Sequence, residues 1–432
     1  MTNLPLVKIE RKEFRGWRAV HLSNGILHLA AVPDIGGRVM ALDLDGYSFL
    51  YVDPNLAGKL FTPNEHLGDG TANAWKNYGG DKTWPAPQGW DNDDQWHGPP
   101  DPVLDGGRYS LNIVQASDDV VSIRMTSAPE PLTGVQISRR VTLRRGCSRV
   151  QLGLSFKNTS DRPRRWSIWD VTQLRSERTD LSGVPAPDPE CLITAPINPH
   201  SRFPDGYNVM FARKDNPQWT VDLGRQLFIA RYLFEIGKVG LDSSGEWIAF
   251  YNGTAKKSFI VNFSYFEGEE YPDNGASLES WTVGRGKIPG LNYDYEHSGI
   301  YLMETEVLSP LFDFQPGETR SFNLEWGVCS LPGMVVQASE AGPVCQPLQA
   351  TSIPDGVRLT GQFGVYEQGV LDIAWLDGYK NVLLAQSLEL VTPFQPLNLD
   401  LTFKPPKGTE SVRLLVVADA DRVVRLLAET KI

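Results

Sequence analysis

The chain has 432 residues and a formal charge of −11 at neutral pH. That balance excludes the clustered Lys and Arg with which proteins grip nucleic-acid phosphates or anionic membranes. The length exceeds what one core usually organises and predicts two domains, or one large β domain with an appendage.

The first thirty residues lack the unbroken apolar stretch of a signal peptide, and no segment approaches the roughly 18 apolar residues of a membrane span; a cytoplasmic protein is expected. Period-two alternation bounded by Gly, Pro, Asn or Asp marks strands at 26–32, 120–125, 150–157, 259–266 and 321–325. The segment 225–236 reads as a helix or as a strand pair. Forty Gly and 31 Pro supply turns, and the Gly pairs at 36–37, 79–80 and 106–107 belong to them. Strand runs without interleaved helices predict an all-β antiparallel sandwich or barrel.

Two stretches lack periodicity, 55–105 and 176–218. Loops of that length are more often functional than idle. After Trp326, Pro332, Gly333, Pro343 and Pro347 suggest a linker. Some seven short strands over 345–432 then fit a small immunoglobulin-like sandwich, an appendage or oligomer contact, with residues 1–335 as the main domain. Cys147, Cys191, Cys329 and Cys345 lie far apart without a CxxC pair, so buried free thiols are expected rather than disulfides or zinc.

The stretch 75–105 holds Trp75, Trp84, Trp90 and Trp96 among Asn77, Tyr78, Asp81, Lys82, Gln88 and His97. A sugar presents an apolar ring face and a rim of hydroxyls, so its pocket pairs aromatic platforms with carboxylates, amides and a cation. The competing reading is a long loop packing on its own aromatics. Asp91, Asp93 and Asp94 lack the glycine and distal glutamate of an EF-hand, so they read as surface carboxylates before calcium ligands. The histidines form neither HxH nor HExxH, and no metal or cofactor is expected. His97, beside the tryptophans, is the histidine most suited to touch a ligand. Tyr265 and the acidic residues after it read as a solvated turn.

In 298–326, Glu304 and Glu306 share one strand face by period two. On a pocket-lining face a like-charged pair raises the pKa of one member and can divide acid and base roles; on a solvent-facing strand they are ordinary Glu.

Several segments together resemble the galactose mutarotase-like (aldose 1-epimerase) superfamily: LAAVPDIGGRVMALDLDGYSFLYVDP, NYGGDKTWP, NTSDRPRRWSIWDVTQL, and SGIYLMETEVLSP with QPGETRSFNLEW. The resemblance covers about residues 15–328. It implies a large antiparallel two-sheet supersandwich and a sugar ligand. It also implies that Glu304, or Glu306 one step along, stands where the family's glutamate deprotonates the anomeric hydroxyl. The family's two histidines have no counterpart. Asp81 or Lys82 occupies the first position and Trp169 or Asp170 the second, and the usual sugar-facing arginine has no clear equivalent.

Three functions follow. An enzyme acting on a sugar or sugar acid would use Glu304 as base, with Asp81, Lys82 or Asp170 as acid and Asn77, Tyr78, Lys82, Trp84, Trp90, Trp96, His97 and Glu306 around the ligand. A non-catalytic module binding a sugar or oligosaccharide would keep the platform without the acid–base pair. A lyase or hydrolase on uronates would use Lys82 or an Arg against the carboxylate and Tyr78 or Tyr265 as base. The sequence leaves the oligomeric state open.

Overall fold

The computed structural model describes residues 4–88, 96, 98–288 and 298–432. Among them the chain is almost wholly β, in two large antiparallel sheets packed face to face. The first has twelve strands. From one edge its path runs through Lys8–Phe14, Trp17–Ser23, Leu27–Val32, Arg38–Leu44 and Asp81–Ala86 to the centre at Arg164–Arg175, then Leu302–Leu308, Leu278–Thr282, Gly237–Leu241 and Asn208–Phe211. The second has ten strands centred on Lys257–Phe263, Thr319–Ser330 and Arg149–Asn158.

The alternation of Val135–Arg144 shows why these sheets stack. Val135, Ile137, Val141 and Leu143 are buried toward the first sheet, while Gln136, Ser138 and Arg140 point the other way. Arg164–Arg175 behaves differently, with every residue from Trp166 to Leu174 buried. A central strand covered on both faces loses the alternation of exposure and reads as a continuous buried run.

The stretch expected as one irregular loop instead contains the short helix Pro63–Leu67 and the strand Asp81–Ala86, buried throughout. Gly79, at φ 92°, turns the chain into that strand, where a Cβ would come 2.2 Å from the Tyr51 carbonyl oxygen; any side chain there clashes with the main chain. Segment 176–218 likewise contains the strands Cys191–Pro196 and Asn208–Phe211. In 225–236 the strand Leu227–Arg231 forms, paired on both sides.

The C-terminal segment makes a second, smaller sandwich of two four-stranded sheets, with its own core around Leu359, Phe363, Leu371, Trp375, Leu399 and Leu414. It docks on the second large sheet. Ser148 N donates to the Tyr366 carbonyl (2.7 Å), and Arg149 bridges Glu325 (2.8 Å) and Glu367 (2.9 Å). All four cysteines are free thiols. Among the described residues no helix is long and apolar enough to cross a membrane, and no His, Cys, Asp and Glu cluster could hold a metal ion.

Candidate functional site

Strand register decides which side chains meet at the centre of the first sheet. Directly paired residues share a face. Gln173 pairs with Glu304, Glu304 with Trp281 and Trp281 with Lys238, forming one row across four strands. The next row runs from Lys82 through Val171 and Glu306 to Glu279. Trp84 and Trp169 pair beyond it. These rows line and underlie a cleft on the face turned away from the second sheet. Trp75, Asn77, Trp84, Gln88, Trp169, Gln173, Phe211, Lys238, Trp281 and Glu304 wall it, and it encloses about 660 Å³ including its open mouth.

Among the described residues, Glu304 is the carboxylate that reaches this cleft. Its Oε1 accepts from Gln173 Nε2 (2.5 Å) and Lys82 Nζ (3.3 Å), which fixes the side chain, while Oε2 has no partner among the described residues. Lys82 is 1 % exposed and lies 4.6 Å from the centre of the Trp84 ring. Burial lowers its pKa, and the Glu304 charge opposes that.

At the cleft lining, Lys238 Nζ sits 2.7 Å from Glu279 Oε2 and 2.9 Å from Glu306 Oε2, and 4.4 Å from the Trp169 ring centre. The Trp169 indole donates to the same Glu306 oxygen at 2.9 Å. Burial raises the pKa of both glutamates against the pull of Lys238. The lysine, flanked by two carboxyl groups, is held charged despite its burial.

A third buried group anchors the aromatic wall. The Asp105 carboxylate accepts from the Trp75 indole (2.9 Å), the Trp84 indole (3.2 Å) and Arg38, and His66 Nε2 lies 3.3 Å away. Burial would raise its pKa, but Arg38 and His66 outweigh this and hold it at about 2.

The structure therefore sorts the candidates. Asn77, Trp84 and Glu304 line the cleft. Lys82 backs Glu304, and Glu306 lies beneath the floor, fully buried. Trp96 is buried behind the cleft against Trp84, with ring centres 4.9 Å apart. Tyr78 is also buried behind it, stacked on His66, and burial pushes its hydroxyl far above the ordinary range. It is no available base. Tyr265 stacks on Tyr271 away from the cleft. Trp90 and His97 lie outside the described residues, as do Asp91, Asp93 and Asp94.

Asp81 and Asp170 require a correction. Alternation turns them to the opposite face, into the interior between the sheets. There Arg139 of the second sheet donates to the Asp81 carboxylate and lies 3.7 Å from Asp170. Thr172 and Thr83 donate to Asp81 (3.0 Å) and Asp170 (2.9 Å). Burial and the neighbouring Asp81 raise the Asp170 pKa well above its ordinary value. Neither faces the cleft, so neither stands opposite Glu304 as an acid. Of the pair placed at the family's second histidine, Trp169 is the one that lines the pocket.

Sequence reasoning missed Lys238, Glu279, Trp281, Gln173 and Asp105 as parts of this site. Lys238, Glu279 and Trp281 sit in short strands whose apolar neighbours read as core. A charged residue in such a strand was the signal available, because burial without a partner is too costly to persist.

Two stacked sheets with a polar, tryptophan-walled cleft at the centre of one define an all-β sandwich protein. The family model named Domain of unknown function (DUF4380) matches residues 18–329, and the chain belongs to that family. No curated protein matches its sequence. Among solved structures it is similar to a TPR-domain containing protein from Parabacteroides distasonis (12 % identity, TM-score 0.48, covering 72 % of this chain and 46 % of that one). It is also similar to galactose mutarotase-like proteins from Lactobacillus casei (11 %, TM-score 0.42, 72 % and 99 %) and Clostridium acetobutylicum (11 %, TM-score 0.44, 75 % and 99 %). The chain thus spans less than half of the Parabacteroides protein.

Proposed function

We propose that the cleft binds a sugar ring and that Glu304 is the base of an aldose epimerase or mutarotase-type reaction on it. The observation that carries this reading is the anchoring of Glu304. One oxygen is pinned by Gln173 and Lys82, leaving the other without a partner among the described residues in a cleft walled by Trp75, Trp84, Trp169 and Trp281. Indole faces suit the apolar face of a pyranose, and Asn77, Gln88 and Gln173 suit its hydroxyls. A positioned carboxylate within reach of an anomeric hydroxyl is what proton removal needs.

A non-catalytic sugar-binding module is the second reading. It is favoured by the orientation of Asp81 and Asp170, which withdraws two of the three acids expected from the sequence and leaves Lys82, itself bound to Glu304. Polarimetry and proton-exchange NMR on a panel of aldoses separate the two. The enzyme reading expects Glu304→Gln to abolish the acceleration while binding persists; equal rates in wild type and variant overturn it. Removal of Glu304 leaves Lys82 unpaired, so the Lys82→Met/Glu304→Gln double variant serves as the folded control.

A further inference from the structure

Three buried charged groups beneath the cleft remain unexplained by a base alone. Glu279 and Glu306, 1 % and 0 % exposed, share the single ammonium of Lys238. Among the described residues, Glu279 Oε1 and Glu306 Oε1 have no hydrogen-bond donor. Two ionised carboxylates beside one ammonium would bury an unbalanced negative charge and leave acceptor oxygens facing each other without a hydrogen, whereas one retained proton removes both penalties. Lys238 connects the trio to the cleft, because it also lines the wall that Glu304 lines. Trp169 holds the trio in place through its indole hydrogen bond and its ring. The other charged groups acting on the trio among the described residues are Glu304 and the Lys82 ammonium, beside Glu306, and Asp273, beside Glu279.

We infer that Lys238, Glu279 and Glu306 form the acid side of the site: Lys238 delivers a proton to the substrate, and the Glu279–Glu306 pair stores one behind it. The assignment rests on the sugar reading of the cleft and supplies the acid that Asp81 and Asp170 cannot. In ring opening, Glu304 Oε2 takes the proton of the anomeric hydroxyl. The freed electron pair forms the carbonyl at C1, the bond from C1 to the ring oxygen breaks, and the ring oxygen takes a proton from the Lys238 ammonium. The carboxyl proton of the glutamate pair restores that ammonium. Closure on the other face of the carbonyl runs each transfer backwards, so protons and electrons balance over the cycle.

Infrared spectroscopy of the wild-type protein with 13C-carboxyl-labelled glutamate tests the store without any substitution. At neutral pH a protonated-carboxyl stretch that moves with the label is expected; the label separates it from the buried aspartates. Glu279→Gln should remove that band. For delivery, Lys238→Met is expected to lower the mutarotation kcat for D-galactose or D-glucose by about a hundredfold or more, while sugar affinity stays within a few-fold. Absence of a protonated-glutamate band from the wild type overturns the inference and leaves the sugar reading standing. If the band is present but saturation-transfer NMR finds neither sugar in contact with the wild type, the sugar reading fails and the catalytic assignment falls with it. A Lys238→Met variant that binds sugar and turns it over at the wild-type rate also refutes the assignment.

Discussion

Asp81→Asn and Asp170→Asn probe the face assignment on which the site rests. Arg139 is fully buried; besides the Asp81 carboxylate it donates to the main-chain carbonyls of Gly37 (2.7 Å) and Asp81 (3.0 Å), with Asp170 3.7 Å away. Its charge therefore needs one carboxylate of the pair. Replacing Asp170, which lies farther from Arg139 (3.7 Å) and whose pKa is raised well above its ordinary value, removes little and should cost about 1 kcal/mol, a neutral hydrogen bond's worth. Replacing Asp81 weakens the bonds from Arg139 and Thr172 to an ionised acceptor. Asp170 can then release its proton and take over the charge, which limits the loss to about 3 kcal/mol. With both replaced, Arg139 is an unpaired buried cation, so the double variant should lose about 2 kcal/mol more than the sum of the single losses. Urea unfolding followed by tryptophan fluorescence measures all three. Sugar binding by the folded single variants should match wild type, because both side chains point away from the cleft. Strict additivity, or single variants of wild-type stability that no longer bind sugar, would refute the reasoning.

Four further outcomes follow from the same geometry. Asp105 is held at about 2 against an ordinary 3.8, so it stabilises the fold above pH 4, and that contribution of about 2 kcal/mol is lost as pH falls toward 2. Acid titration of Asp105→Asn should lack this component. Glu304→Gln strands the buried Lys82 ammonium and should destabilise by about 3–5 kcal/mol, with much of the loss recovered in Lys82→Met/Glu304→Gln; chemical denaturation checks both. Trp84→Ala removes one platform and the ring over which Lys82 lies, and should weaken sugar binding about tenfold, read by calorimetry. At the docking surface, a Cβ on Gly327 would come 2.4 Å from the Tyr366 ring. Gly327→Val should therefore displace the C-terminal sandwich and expose the Arg149–Glu367 contact to proteolysis.

Much of the strand content was readable because half-buried strands advertise themselves by alternation, as 150–157 does within Arg149–Asn158. The pairing of Glu304 and Glu306 on one face was readable for the same reason, since period two is intrinsic to the strand. Which parity of Asp81–Ala86 faces the cleft was not. All six of its residues are buried, so exposure carries no phase, and Asp81 and Lys82 look equally suited to a site until their partners are known. Arg139 resolves the ambiguity from another sheet, 58 residues away in sequence. Lys238 and Glu279 were hidden because their significance lies in meeting Glu306 across three paired strands, a relation that no local pattern encodes. Asp105 was passed over as the last residue of an irregular stretch, although its one carboxylate fixes two of the cleft's indoles.

Adjacent residues of Asp81–Ala86 serve two unrelated chemistries, with Asp81 completing an ion cluster inside the sandwich and Lys82 steadying a carboxylate at the tryptophan-walled cleft. Insertion or loss of one residue in this strand would exchange the two sets at a stroke, putting an ammonium between the sheets and a carboxylate beside Glu304. Natural length variation here should be confined to the turns flanking the strand, or come in steps of two.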